Sequence, residues 1–89
     1  MSSEKSVKFK FTRHAQAVMQ ERKIHANWLV RVLLEPQRIE PDPDDFQLEH
    51  RLARIHENGD RVLRVVVNKT VRPMQVVTVY FDRAMKNKL

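Results

Sequence analysis

The chain has 89 residues, 42% hydrophobic and 31% charged, so it has room for one domain with its own core and is not a disordered segment. It contains no cysteine, which excludes a disulfide framework, a thiolate nucleophile and every cysteine-ligated zinc or iron–sulfur site. The net charge of +6 is typical either of a protein with a polyanionic partner, of which nucleic acid is the commonest in a cytoplasm, or of a surface charged for solubility, and charge alone does not decide between them.

The first predicted element is a strand over Val7–Phe11, in which apolar residues alternate with lysines. Residues 1–6 before it are expected to be flexible. Thr12 is a typical helix N-cap, and good helix formers follow it. The sequence therefore predicts a first helix over Arg13–Arg22, with Ala15, Val18 and Met19 on its packed face.

A second amphipathic helix is predicted over Ala26–Leu34, and Pro36 ends it. Its inward face consists of Trp28, Leu29, Val32 and Leu33. The short break between the two segments predicts a helical hairpin.

The segment from Pro36 to Glu49 is acidic. Five carboxylates and one arginine give it a net charge of −4, which leaves +10 for the rest of the chain. Its centre, Pro41–Asp45, has the composition of a loop. Two interpretations remain open: a solvated mobile loop, or a segment that folds over the basic face and mimics a phosphate backbone.

Three runs with strand character follow, over Leu48–His56, Val62–Asn68 and Gln75–Phe81. A three-residue loop ending at Gly59, with this glycine in the left-handed region, places Ala53 and Ile55 on the core face. We favour this register over a two-residue Asn58-Gly59 turn. In the last run Val77, Val79 and Phe81 are predicted to face the core. Residues 83–89 are expected to form a frayed basic tail.

With this register the other face of the sheet is polar and basic, and the sequence offers no further layer to cover it. We therefore predict a ligand platform on this face, for which an ordinary solvated face is the alternative. Its candidate nucleic-acid-binding residues are His50, Arg54, Arg64 and Thr78, with Tyr80 beside them.

Several kinds of site are not supported by the residues present. The four histidines, His14, His25, His50 and His56, show no metal-binding spacing, so no metal is expected. Gly59 is the only glycine, so a phosphate-cradling loop is absent and no cofactor is expected. No apolar run is long enough to span a bilayer, and a soluble cytoplasmic protein without a membrane partner is predicted.

The chemistry that remains uses histidine and arginine. RNA cleavage needs no cofactor when one group removes the 2′-hydroxyl proton, another protonates the leaving oxygen and cations stabilise the phosphoryl oxygens. Histidine serves as acid or base near neutral pH, and arginine matches phosphate oxygens two at a time.

Four stretches of the chain carry a resemblance to a known group of proteins: Phe11-Thr12-Arg13-His14-Ala15, Met19-Gln20-Glu21-Arg22-Lys23-Ile24, Val32-Leu33-Leu34-Glu35-Pro36 and Val76-Val77-Thr78-Val79-Tyr80. They resemble a family of small bacterial domains of unknown function grouped with the RelE, ParE and BrnT toxins. The resemblance implies an α+β domain over residues 7–82, with two N-terminal helices on one face of a twisted three- to four-stranded antiparallel sheet. It also implies functional roles for His14, Glu21-Arg22, Thr78 and Tyr80.

Two functions are therefore expected. The first is a toxin-like RNA-directed domain, with a metal-independent ribonuclease as its enzymatic form and His14, Arg22 and Tyr80 as catalytic residues. The alternative is a non-catalytic module of the same fold that binds nucleic acid or a protein such as a cognate antitoxin.

Overall fold

The computed structural model describes residues 8–89 and consists of two helices packed on one sheet. The elements are β1 (Phe9–Phe11), α1 (Arg13–Glu21), α2 (Ala26–Leu34), β2 (Arg38–Pro41), β3 (Leu48–Ile55), β4 (Arg61–Asn68) and β5 (Met74–Phe81). The predicted flexible residues 1–6, and Val7 at the start of the first predicted strand, lie outside the described residues.

The sheet has five strands in the order β1-β5-β4-β3-β2. Strand β1 runs parallel to β5, whereas the other neighbours are antiparallel, so the sheet is mixed. The α+β class is confirmed, but the predicted three- to four-stranded antiparallel sheet is wrong in both strand number and type. The strand number is wrong because β2 forms inside the acidic segment. The sheet type is wrong because the alternation of apolar and polar residues does not indicate whether β1 pairs in the parallel or the antiparallel direction.

Helix α1 is attached to β5 by its N-cap residue. The Thr12 hydroxyl accepts a hydrogen bond from the Ala15 amide at 3.0 Å and donates one to the Val77 carbonyl at 3.1 Å. Ala15 is fully buried, and Val18 and Met19 pack against the same core. In α2, Leu29, Val32 and Leu33 are buried, with Trp28 packed beside them, as the sequence predicts.

The β3–β4 register agrees with the three-residue-loop prediction. Ala53 pairs with Leu63, and both Ala53 and Ile55 belong to the core shared with the helices. Gly59 follows a short 3₁₀ turn with φ of 67°, in the left-handed region where glycine carries no steric cost.

The face assignment of β5 is wrong at Val77. A bulge between Val66 and Val67 shifts the β4–β5 register, so that Val67 pairs with Val76 and Val66 pairs with Thr78. Val76 is therefore the fully buried residue, and Val77 is only half-buried.

The second face of the sheet is partly covered by the C-terminal segment, contrary to the prediction of a frayed tail and an open face. Asp82 accepts a hydrogen bond from the Ala84 amide at 3.0 Å and starts a 3₁₀ turn over Arg83–Met85. Met85, only 9% exposed, packs with Leu52 and Val62, and Leu89 contacts the same cluster.

Candidate functional site

Arg64 on the second face is held by two carboxylates. Its Nε donates to Asp82 Oδ2 at 2.8 Å, and its Nη1 donates to Glu40 Oε1 at 3.2 Å, with only 12% of the side chain exposed. Burial opposes the charged form, but the hydrogen bonds to Asp82 and Glu40 outweigh it and raise the pKa of Arg64. This guanidinium is therefore committed to contacts within the fold.

His50 belongs to the same network. Its Nδ1 lies 2.8 Å from Arg64 Nη1, and its Nε2 lies 2.6 Å from Asp42 Oδ1. Because arginine only donates, the geometry assigns an acceptor role to His50 Nδ1 and a donor role, towards Asp42, to His50 Nε2. The contact with His50, helped by the backbone amides of Asp44 and Asp45, lowers the pKa of Asp42.

These contacts decide between the two interpretations of the acidic segment. Glu40 and Asp42 lie against the predicted basic face and pair with Arg64 and His50, so this part of the segment is folded rather than a mobile loop. Arg54 also has an internal partner, since its Nη2 donates to the Leu89 carbonyl at 2.9 Å. The predicted platform of His50, Arg54 and Arg64 is thus not an open binding surface.

The other predicted residues lie along α1 and β5. His14, at the start of α1, is exposed, and its Nε2 lies 3.1 Å from Thr78 Oγ1. Tyr80, two residues further along β5, lies on the same strand face as Thr78 and is 38% exposed. Arg22 caps the far end of α1, about 12 Å from His14 along the helix axis.

A cavity of about 350 Å³ lies between the C-terminal end of α1 and the C-terminal end of β5. Four basic side chains line it, together with Asn58, Tyr80 and the apolar residues Ile24, Trp28 and Phe81. We call this cavity the basic cleft; its cations are Arg22, Lys23, Arg61 and Arg83.

No acidic side chain among residues 8–89 lines the basic cleft beside its four cations. Within residues 8–89, none of its four cations forms an ion pair, whereas Arg64 and Arg31 elsewhere do. All four cleft cations are exposed, so their positive potential is directed at solvent and at any anion that enters.

A second cavity of about 440 Å³ adjoins the cleft and shares Arg61, Phe81 and Arg83 with it. Val62, Asp82 and Lys86 complete its lining, and Asp82 is already bonded to Arg64. The Arg61 guanidinium lies 4.8 Å from the centre of the Phe81 ring, within the range of a cation–π contact. We call this second cavity the apolar compartment.

The local backbone explains how the cleft forms. Lys23 has φ of 54°, which turns the chain sharply after α1, and the Ile24 amide donates to the Met19 carbonyl at 3.0 Å. Ile24 is buried and fixes the turn to the core, so Arg22 and Lys23 project beside Tyr80. On the opposite wall, Arg61 starts β4 and Arg83 follows the end of β5.

The predicted site and the observed cleft overlap only in part. Arg22 and Tyr80 line the cleft as predicted site residues, whereas Lys23, Arg61 and Arg83 of the cleft were not predicted as site residues. The signal that would reveal the missed cations is the β4–β5 register, which brings the start of β4 beside the residues after β5.

Two further findings bear on the chemistry available. Residues 8–89 contain no group of three or more histidines or acidic residues arranged to hold a metal ion. Among the same residues, no helix is long and apolar enough to cross a membrane.

The fold and the cleft define a small α+β domain with a cationic, partly aromatic cavity at one end of its sheet. Residues 11–81 match the model of a domain of unknown function, DUF4258, and the chain belongs to this family. The matched region includes Arg22, Arg61 and Tyr80 of the cleft, while Arg83 and Lys86 follow it. No curated protein and no solved structure matches the chain.

Proposed function

We propose that this domain binds RNA through its phosphate backbone, with the basic cleft as the contact surface. The observation that carries the proposal is the convergence of four exposed cations, unpaired within residues 8–89, on a cavity whose lining lacks carboxylates. Arginine and lysine at such a surface release counterions from a polyanion, which is the main source of backbone affinity.

The aromatic residues favour single-stranded RNA over duplex DNA. Tyr80 is exposed at the cleft, where its ring can stack on a base. Unstacked bases bind such rings, whereas the bases of a duplex remain stacked on one another. Binding a single strand in this way does not require a helix or a pair of strands that fits into a major groove.

The test measures binding of a fluorescent single-stranded RNA at several salt concentrations. We expect the logarithm of affinity to fall as the logarithm of salt rises, with a slope of about −0.7 for each phosphate charge that the cleft cations neutralise. Lys23→Ala should reduce this slope by about 0.7. The matched control is Arg72→Ala, an exposed arginine in the β4–β5 turn at the other end of β5. Binding that does not depend on salt, or equal weakening by both variants, would contradict the proposal.

A metal-independent ribonuclease of the toxin type is the second candidate, as the resemblance to the RelE, ParE and BrnT toxins implies. It is supported by one arrangement: His14 contacts Thr78, and Tyr80 on the same strand lies at the cleft with Arg22. In this mechanism His14 removes the 2′-hydroxyl proton and Tyr80 protonates the leaving oxygen, while Arg22, about 12 Å from His14 along the helix axis, binds a neighbouring phosphate of the RNA. An acidic antitoxin would bind the same cleft and block it.

Cleavage is tested by incubating the protein with RNA in the presence of EDTA. We expect products from the wild type and none from His14→Ala, with His56→Ala, which removes an exposed histidine outside both cavities, as the control. If no products form, or if His14→Ala cleaves equally well, the ribonuclease candidate is removed while RNA binding is still judged by its own assay.

A further inference from the structure

We infer that the basic cleft recognises a nucleotide that carries a terminal phosphate, at an RNA end, rather than an internal stretch of backbone. This inference rests on the proposed RNA binding and names the ligand group that the cleft selects. The phosphomonoester occupies the basic cleft, and the attached base lies in the adjoining apolar compartment.

Four positive charges from four parts of the chain meet at the basic cleft. Arg22, Lys23, Arg61 and Arg83 come from the end of α1, the following turn, the start of β4 and the segment after β5. An internal phosphodiester carries one negative charge, whereas a phosphomonoester carries about −1.5 to −2 at neutral pH and offers three terminal oxygens. Four converging cations match the second group better than the first.

Apolar surface adjoins the basic cleft. Val62, which is buried, and Phe81 line the apolar compartment together with charged side chains, and Arg61, Phe81 and Arg83 are shared with the cleft. One face of the Arg61 guanidinium lies on the Phe81 ring, and the side chain is exposed. Bases stack on guanidinium planes, so Arg61 provides a stacking surface next to the phosphate position.

The α1–α2 turn contributes to the basic cleft alone. Arg22, Lys23 and Ile24 line the basic cleft and take no part in the apolar compartment. With the base in the apolar compartment, the attached phosphate thus meets Arg22 and Lys23 on the far side of the cleft. The cavity volume of about 350 Å³ lies in the range of small-ligand pockets, so it suits one terminal group.

The experiment compares three eight-nucleotide RNAs of identical sequence that carry a 5′-hydroxyl, a 5′-phosphate or a 3′-phosphate. We expect one phosphorylated RNA to bind about ten-fold or more tightly than the unphosphorylated one, since hydrogen bonds to charged groups contribute about this much. Which end is preferred identifies the strand direction. Adenosine 5′-monophosphate and inorganic phosphate, added as competitors, should displace the preferred RNA.

Variants separate this inference from the proposed function. Arg22→Ala and Arg83→Ala should abolish the preference for the phosphorylated end, and Arg72→Ala should retain it; circular dichroism verifies that each variant is folded. Equal, salt-dependent binding of all three RNAs would overturn the terminal-phosphate inference and leave backbone binding intact. Failure of all three to bind would overturn both.

Discussion

Replacing Arg64 with alanine is expected to destabilise the domain strongly without changing its affinity for RNA. The guanidinium donates to Asp82 and Glu40 and also contacts His50, and the Arg64 and Asp82 side chains are 12% and 15% exposed. Removing one partner of a buried ion pair costs about 3 to 5 kcal/mol, because the remaining charges lose their compensation. Since this pair keeps some contact with water, we expect the lower end, about 3 kcal/mol.

Urea unfolding followed by circular dichroism measures this change, and thermal unfolding should show a midpoint at least about 12 °C lower. Arg72→Ala, which removes an exposed arginine, is the control and should stay within about 0.5 kcal/mol of the wild type. RNA affinity is then measured where the Arg64→Ala variant is folded. A loss below about 1 kcal/mol, or a clear loss of RNA affinity in the folded variant, would refute the assignment of Arg64 to the fold.

Three further predictions test the contacts that shape the fold. Thr12→Val should cost about 1 to 2 kcal/mol in urea unfolding, because it removes the helix cap and the bond to the β5 backbone, whereas Thr12→Ser should retain most of the stability. Gly59→Ala should lower the free energy of unfolding by about 1 kcal/mol through left-handed backbone strain alone, because among the described residues no atom outside its chain neighbours lies within 4 Å of an added Cβ. Gly59→Asn should cost less, and an unchanged stability of Gly59→Ala would contradict this reasoning. The hydrogen bonds from Arg31 lower the pKa of Glu57 from 4.5 to about 2, so this pair stabilises the fold above pH 4.5 and loses its effect as the pH falls towards 2. Thermal midpoints of Glu57→Gln should therefore depend less on pH over that interval than those of the wild type, and an equal dependence would exclude the effect.

The sequence predicts those parts of the fold that depend on interactions between residues close together in the chain. Thr12 starts α1 because its hydroxyl satisfies a free helical amide, and α2 ends before Pro36. Gly59 closes the β3–β4 loop because its positive φ carries no steric cost, and Asn58 lies in the preceding 3₁₀ turn rather than in the left-handed region that a two-residue turn would require. These residues act on their immediate neighbours, so their effect is visible in the sequence.

Strand β2 and the packed C-terminal segment depend on distant partners instead. Ile39 is the only apolar residue of β2 besides Pro41, so there is no alternation to detect, and Glu40 is positioned through its ion pair with Arg64. Asp82 likewise connects Arg64 to the turn that carries Met85 onto the sheet. The acidic segment and the C-terminal segment thus both pack on the second face of the sheet. The first contributes Glu40, and the second contributes Asp82 and Met85.

The basic cleft was missed from the sequence for a related reason. Leu63 pairs with Phe81, and continuing the antiparallel ladder by two residues places Arg61 opposite Arg83. The bulge at Val66 and Val67 shifts this ladder by one residue, and the turn between the strands contains no glycine that would specify a register. Without the register, Arg61 is an ordinary strand residue and Arg83 belongs to a basic tail. The positive charge of the cleft therefore depends on strand pairing, because its cations are not part of one continuous basic run in the sequence.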